Sequence, residues 1–216
     1  MNVNDYLVWR GDLPFSLFPF NEVDDLILAR FSYLPFDKIK FKDNDTIESI
    51  SDKMKDFSSE FKIDGDKDLI INLGKSVRFK DLKVSDFVFN KSKEAERQFG
   101  AITIHLDDFI YVSYIGTDNS IIGWKEDFNM SFMDNIPAQI EGKKYLDSIS
   151  SKYSGNIRIG GHSKGGNVAV YSSLYCNKDI IDRIISVCNF DGPGFNKNVI
   201  LNGNDILKKV KSYIPQ

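Results

Sequence analysis

Residues 156–175, NIRIGGHSKGGNVAVYSSLY, contain the segment that decides the fold. A short run of alternating isoleucines precedes the pattern G-x-S-x-G, formed by Gly161, Ser163 and Gly165, and an apolar stretch of helical character follows it. In a sharp strand-to-helix turn, side chains two residues before and after the serine would collide, which explains a glycine at each of these positions. The segment therefore predicts a strand at 156–160, a strained turn at Ser163 and a helix from about 164 to 175.

The neighbouring segments extend this pattern into a larger fold. Residues 101–106 and 109–116 are two β-rich runs joined by a two-residue turn, which predicts a hairpin. A helix is predicted at 137–153 and a further strand at 184–190. This alternation of strands and helices predicts an α/β fold with a mostly parallel sheet and helices on both faces.

The N-terminal part of the chain predicts a helical cover on that core. One helix is expected after Asn21 and another from 45–46, since each site has a capping residue followed by apolar residues at helical spacing. The charged stretch 91–98 is typical of a helix face or a helix end. We therefore divide the chain into a cover at 1–98 and a core at 99–216, within one structural domain.

Composition excludes several classes of protein. The chain has 216 residues, a formal net charge of -3 and 27% charged residues, which suits a globular domain and predicts no basic face for nucleic acid. Its apolar runs are shorter than the roughly 20 residues that span a bilayer, and the N-terminus lacks a secretory signal pattern. Two cysteines without C-x-x-C spacing predict neither a disulfide framework nor a metal site. We expect a cytoplasmic protein with no transmembrane segment, nucleic-acid partner, metal or organic cofactor, and no pattern indicates an oligomeric state.

Four residues are candidates for chemistry. If Ser163 is a nucleophile, the oxyanion that it generates needs backbone donors. The N–H of Lys164, directly after the serine, is one candidate, and that of Thr117, in the loop after an earlier strand, is the other. Asp191, at the carboxyl end of the next strand, is the candidate acid. The alternatives are a glycine-rich turn that binds phosphate, an ordinary turn at Thr117 and an Asp-Gly turn that caps a strand.

The residues around these candidates resemble a known family. Residues 114–128, YIGTDNSIIGWKEDF, and 160–171, GGHSKGGNVAVY, look like the oxyanion loop and the serine turn of the lipase class 3 α/β hydrolases. Residues 9–37 and 188–195, the latter CNFDGPGF, make the chain more similar still to the Mbeg-like family of bacterial α/β-hydrolase-fold proteins. The resemblance covers essentially the whole chain.

The resemblance implies a fold and an activity. It implies an α/β-hydrolase core at 99–216, with Ser163 as the nucleophile, Thr117 in the oxyanion hole and Trp124 and Asp118 nearby. It also implies a lipase-like or esterase-like serine hydrolase that acts on a small-molecule or lipid ester.

The general base is the difficulty. A serine nucleophile needs a histidine, which in this fold follows the acid in the chain. The sequence contains only His105 and His162, both before Asp191. His162 adjoins the serine and cannot easily fold its ring back onto the hydroxyl, while His105 lies on a predicted strand, where a structural role is the simpler interpretation. Members of the family that the chain resembles continue beyond the equivalent of residues 212–216, so the resemblance implies a triad histidine after Gln216, in a C-terminal part of the fold that these residues lack. The alternatives are a base from His105 or another subunit, and a catalytically inactive binding protein.

Overall fold

The structure, a computed structural model, describes residues 2–61, 63–92, 97–117, 135–195 and 204–214. Its helices are α1 (Val3–Arg10), α2 (Glu22–Phe31), α3 (Ile47–Met54), α4 (Asp66–Lys75), α5 (Pro137–Lys152), α6 (Lys164–Tyr175), α7 (Lys178–Ile181) and α8 (Asn204–Leu207). Its strands are β1 (Asp45–Thr46), β2 (Lys83–Ser92), β3 (Arg97–His105), β4 (Phe109–Tyr114), β5 (Asn156–His162), β6 (Ile184–Phe190) and β7 (Val210–Tyr213). The side chains of Asn21 and Thr46 accept hydrogen bonds from the first turns of α2 and α3, which confirms the two predicted helix starts.

The strands of the described residues form one seven-stranded sheet in sequence order. Neighbouring strands from β1 to β4 are antiparallel, and those from β4 to β7 are parallel. The β3–β4 pair is the predicted hairpin, with Ala101 opposite Tyr114 and His105 opposite Ile110. The parallel half carries the predicted alternation of strands and helices, which confirms the α/β class, although the sheet as a whole is mixed.

Helices cover both faces of the sheet. Tyr111 on β4 belongs to a buried core that includes residues of α1 to α4. The next residue, Val112, belongs to a second core with residues of α5 and α6 on the opposite face. This alternation is expected of a strand buried on both sides. A fully buried ion pair between Asp24 and Arg78 lies within the N-terminal layer.

One prediction for the N-terminal part was wrong. The stretch 91–98 is not helical in its described residues, because Lys91 and Ser92 end β2 and Arg97 and Gln98 begin β3. Residues 93–96 lie outside the described residues. Pairing between β2 and β3 overrides the local helical pattern, since a strand is stabilised by partners that the local sequence does not contain. The cover therefore contributes strands as well as helices, and the boundary at residue 98 falls inside β3.

The carboxyl ends of the parallel strands meet at one edge of the sheet. Tyr114 at the end of β4 lies opposite Gly161 on β5. His162 at the end of β5 lies opposite Phe190 at the end of β6, which in turn lies opposite Tyr213 on β7. The candidate site segments directly follow β4, β5 and β6, so the topology brings them to the same edge.

Candidate functional site

Ser163 forms the turn between β5 and α6. Its backbone has φ 54° and ψ -133°, a conformation that residues other than glycine rarely adopt. The N–H of Ser163 donates to the carbonyl of Phe190 at 2.8 Å, and its carbonyl accepts from the N–H of Gly166 at 2.9 Å. A strained backbone of this kind costs on the order of 1–3 kcal/mol and persists only where its surroundings enforce it.

The two flanking glycines are required by close packing. A Cβ built on Gly161 would overlap the backbone of Gly165 and lie 2.8 Å from the nitrogen of Gly166. A Cβ built on Gly165 would overlap the carbonyl oxygen of Tyr114 and lie 3.0 Å from the nitrogen of Gly116. The first turn of α6 therefore rests directly against the end of β5 and the loop that follows β4. This contact is the physical reason for glycine on each side of the serine.

A buried polar chain links α6 to the loop after β4. Lys164 is 1% exposed, and its Nζ donates to the backbone carbonyl of Gln98 at 3.0 Å and to the side-chain Oε1 of Gln98 at 3.3 Å. The Nε2 of Gln98 donates to the carbonyl of Gly116 at 3.0 Å. The next residue, Thr117, is partly buried. The structure thus brings both candidate oxyanion residues, Lys164 and Thr117, into one connected region, while Asp118 and Trp124 lie outside the described residues.

Asp191 follows β6 at the same edge. Its side chain is exposed, its φ is 54°, and its N–H donates to the carbonyl of Tyr213 at 2.8 Å. A Cβ built on the next residue, Gly192, would lie 2.9 Å from the carbonyl oxygen of Ser163. The backbone that carries Asp191 therefore passes against the serine turn.

Buried amides fix the loop after Asp191. The Nε2 of Gln139 donates to the Oδ1 of Asn167 at 2.7 Å, and the Nδ2 of Asn167 donates to the carbonyl of Pro193 at 2.9 Å. The N–H of Gly192 donates to the Oδ1 of Asn189 at 2.9 Å. These bonds attach the loop to α5, α6 and β6, so its position depends on side chains far away in the sequence.

His162 adjoins the serine, but a tyrosine engages its ring. The Nδ1 of His162 lies 3.2 Å from the hydroxyl of Tyr33, which also donates to the His162 carbonyl at 2.9 Å. Burial and the nearby Arg30 guanidinium lower the pKa of His162, and the Asp191 carboxylate opposes this shift. The neutral form of the ring is therefore favoured. The ring contacts Tyr33, which lies in the turn after α2.

His105 lies at the opposite end of the strands. It pairs with Ile110, which lies opposite Ile157 on β5. Ser163 follows Ile157 by six positions, and a strand rises about 3.3 Å per residue, so His105 lies roughly 20 Å from the serine. Its Nε2 instead lies 2.7 Å from the hydroxyl of Ser85. His105 cannot act as a base for Ser163 of the same chain.

A cavity opens beside Thr117. It has a volume of about 270 Å³, and Thr117 and Tyr33 contribute to its polar lining. Its apolar lining comes from side chains of the N-terminal layer and the sheet, namely Leu34, Ile63, Phe87, Phe89 and Ile115. Asp37, Lys38, Glu60 and Lys91 also line it, so the cavity beside the loop after β4 is partly apolar and partly charged.

The sequence did not single out Gln98, Tyr33 or Asn167. Their contacts with the candidate site join residues that are 66, 129 and 26 positions apart. No local pattern predicts such contacts. The one available signal was a lysine that is the sole charged residue of its helix, which needs a polar partner if it is buried.

The described residues contain no group of three or more His, Cys, Asp or Glu side chains that could hold a metal ion. None of the described helices is long and apolar enough to cross a membrane.

Comparison with known proteins identifies the family of the chain. No curated protein matches the chain. Among solved structures, the chain is similar to the Lip2 lipase from Yarrowia lipolytica, with a TM-score of 0.43 and 14% sequence identity over 68% of this chain. The matched part spans 60% of that lipase. The family model described as Mbeg1-like matches residues 73–216, about two thirds of the sequence, and the chain therefore belongs to the Mbeg1-like family.

Proposed function

We propose that the chain is a serine hydrolase of the lipase or esterase type, which cleaves an acyl ester through a Ser163 acyl-enzyme. The observation that carries the proposal is the backbone of Ser163, with φ 54° and ψ -133° at the junction of β5 and α6. This turn presents a serine at the carboxyl edge of a parallel sheet, the arrangement that nucleophilic serines use in α/β hydrolases.

The proposed reaction has two halves. A general base takes the proton of the Ser163 hydroxyl while its Oγ attacks the ester carbonyl, and the backbone N–H groups of Lys164 and Thr117 stabilise the negative oxygen. The tetrahedral intermediate then expels the alcohol, which takes the proton from the base. Water, deprotonated by the same base, then attacks the acyl carbon, the bond between that carbon and the Ser163 Oγ breaks, and the base returns the proton to Oγ as the carboxylic acid leaves.

Asp191 is proposed to orient the base. Its location beside the serine turn, at the end of the neighbouring parallel strand, supports this role. His105 is too distant and the ring of His162 is engaged by Tyr33, so the proposal assigns the base to a group that neither histidine of the same chain supplies. A second copy of the chain, through its own His105, is one candidate source of that base.

The apolar side of the cavity beside Thr117 supports an ester with an apolar acyl or alcohol group. Leu34, Phe87, Phe89 and Ile115 would contact that group, and Thr117 would contact the carbonyl end. We propose a cytoplasmic location and a division into a cover at 1–98 and a core at 99–216, both of which stay predictions.

The test uses the serine itself. The chain is incubated with a fluorophosphonate probe and, separately, with a p-nitrophenyl acyl ester, with and without imidazole in solution as a substitute base. We expect imidazole-assisted labelling, and turnover above that of imidazole alone, in the wild type but not in Ser163→Ala. Ser154→Ala, which changes an exposed serine away from the turn, is the matched control and should behave like the wild type.

The second candidate function is a binding protein that retains the fold without the chemistry. The engaged ring of His162 and the distance of His105 from Ser163 favour it. Equal labelling of the wild type and Ser163→Ala in the presence of imidazole would support this alternative and contradict the hydrolase.

A further inference from the structure

Gln98 occupies the centre of the buried chain between Lys164 and Gly116. It is fully buried, its Oε1 accepts from the Lys164 ammonium at 3.3 Å, and its Nε2 donates to the Gly116 carbonyl at 3.0 Å. Both ends of the amide are therefore used. Its orientation is fixed by chemistry, because a flipped amide would bring its NH₂ group against the ammonium and its oxygen against the Gly116 carbonyl oxygen.

The bond to Gly116 acts on Thr117 through the peptide plane. The carbonyl of Gly116 and the N–H of Thr117 belong to one planar trans peptide unit, so they point in opposite directions. A donor that holds the carbonyl in the interior thereby turns the Thr117 N–H towards the other side of the loop. The position of Gly116 is further restricted, since a Cβ there would lie 2.6 Å from the carbonyl oxygen of His162.

The same amide is tied to the residue that follows the serine. Lys164 binds both the backbone and the side-chain oxygen of Gln98. One glutamine thus connects the side chain of one proposed oxyanion donor to the peptide plane of the other. We infer that Gln98 is a positioning residue, which sets the direction of the Thr117 N–H relative to that of Lys164 in the oxyanion hole. This inference rests on the proposed function.

The hydrogen bonds of the Gln98 amide allow a positioning role to be distinguished from a packing role with one substitution. Gln98→Glu has nearly the same shape and keeps an acceptor for Lys164, where the negative charge strengthens the contact. A carboxylate has no hydrogen to donate to the Gly116 carbonyl, and the two oxygens repel each other. A packing role predicts little change in this variant, whereas a positioning role predicts a displaced Thr117 N–H.

A second buried hydrogen bond on β3 supplies the control. The hydroxyl of Thr103 lies 2.8 Å from the hydroxyl of Tyr145, and Thr103 is fully buried. Thr103→Val removes this bond with almost no change of shape and without touching the loop at Gly116. It therefore reproduces the structural cost of a lost buried hydrogen bond.

The experiment measures imidazole-assisted fluorophosphonate labelling and p-nitrophenyl ester turnover in the wild type, Gln98→Glu and Thr103→Val. In Gln98→Glu we expect the labelling rate and kcat to fall about 10- to 100-fold with KM unchanged, as for a weakened oxyanion donor. Thr103→Val should keep the wild-type rate. The ¹H–¹⁵N resonance of Thr117 should move in Gln98→Glu and stay in place in Thr103→Val.

The outcomes separate the two proposals. A wild-type rate and an unmoved Thr117 resonance in Gln98→Glu would overturn the role of Gln98 while leaving the hydrolase intact. A fall in rate equal to that of Thr103→Val would also overturn it, because the loss would then be structural. If the wild type shows no Ser163-dependent labelling, the hydrolase itself fails, and the oxyanion role of Gln98 fails with it. If Gln98→Glu does not fold, Gln98→Met, which also lacks the donor, should show the same loss.

Discussion

Gly165→Ala tests whether the packing between α6 and the loop after β4 matters for both stability and chemistry. In an ordinary helix this change is stabilising by about 0.5–1 kcal/mol, because glycine loses more conformational freedom on folding. Here the new Cβ would lie 2.9 Å from the carbonyl carbon of Tyr114 and 3.0 Å from the nitrogen of Gly116. Since carbon atoms normally approach no closer than about 3.5 Å, the loop or the helix must move by on the order of 0.5–1 Å.

This displacement determines how much stability and how much reaction rate the variant is expected to lose. Overpacking a tight contact costs about 1–3 kcal/mol, so the propensity gain is offset and the net effect is a loss of up to roughly 2 kcal/mol in the free energy of unfolding. A shift approaching 1 Å at a catalytic donor lowers the reaction rate by up to about 100-fold. Urea unfolding and imidazole-assisted labelling of Ser163 measure the two effects.

Gly194→Ala is the matched control, because a Cβ at Gly194 meets nothing within 4 Å and its φ is not in the left-handed region. It should leave both stability and labelling close to those of the wild type. If Gly165→Ala were as stable and as reactive as Gly194→Ala, the proposed contact between the serine turn and the oxyanion loop would be refuted.

Two further predictions concern the layers around the site. Arg78→Met should lower the free energy of unfolding by about 3–5 kcal/mol in urea titrations, because it leaves Asp24 charged, buried and unpaired; a loss below 1 kcal/mol would contradict a tight ion pair. Burial lowers the pKa of His105, so the folded state binds its proton less readily than the unfolded state does. Stability should therefore fall as the pH drops below about 6.5, and His105→Gln should reduce this fall. An equal pH dependence of unfolding in the two proteins would show that other groups cause it.

The sequence predicted best where the structural signal is local. The helix at 164–175 and the strand at 184–190 were predicted with the observed bounds, because a glycine-rich turn and short apolar runs mark their ends. The turn at Ser163 follows from the spacing of two glycines, since a side chain at Gly161 would collide with the nearby Gly165, whereas the contact of Gly165 with the loop after β4 emerges only in the folded structure. β2 was missed because its residues are held by pairing with β3 and include an irregular register between Ser85 and Val88.

The site was predictable only in part for the same reason. The order of strands brings Ser163, Asp191 and Thr117 to one edge, and that order follows from the alternation of elements along the chain. The contacts that restrain them come from Gln98 and Tyr33, whose partners lie far away in the sequence. A buried glutamine or tyrosine carries no local mark of the group that it will bind, so such residues emerge only from the folded arrangement.

The backbone at Ser163 provides a last argument for function over simple turn formation. Asp191 also has a φ of 54°, but aspartate enters the left-handed region more readily than most residues, so its conformation suits an ordinary turn as well. Ser163, with ψ -133°, lies in a region that glycine occupies far more easily. If the turn had only a structural purpose, glycine would suit this position better than serine, because Ser163→Gly would relieve about 1–3 kcal/mol of strain and lose only about 0.5–1 kcal/mol through the added flexibility of the unfolded chain. We expect Ser163→Gly to unfold at higher urea concentration than Ser163→Ala while both lose labelling. A glycine variant no more stable than the alanine variant would mean that the serine backbone is not strained, and the argument from strain to function would then fail.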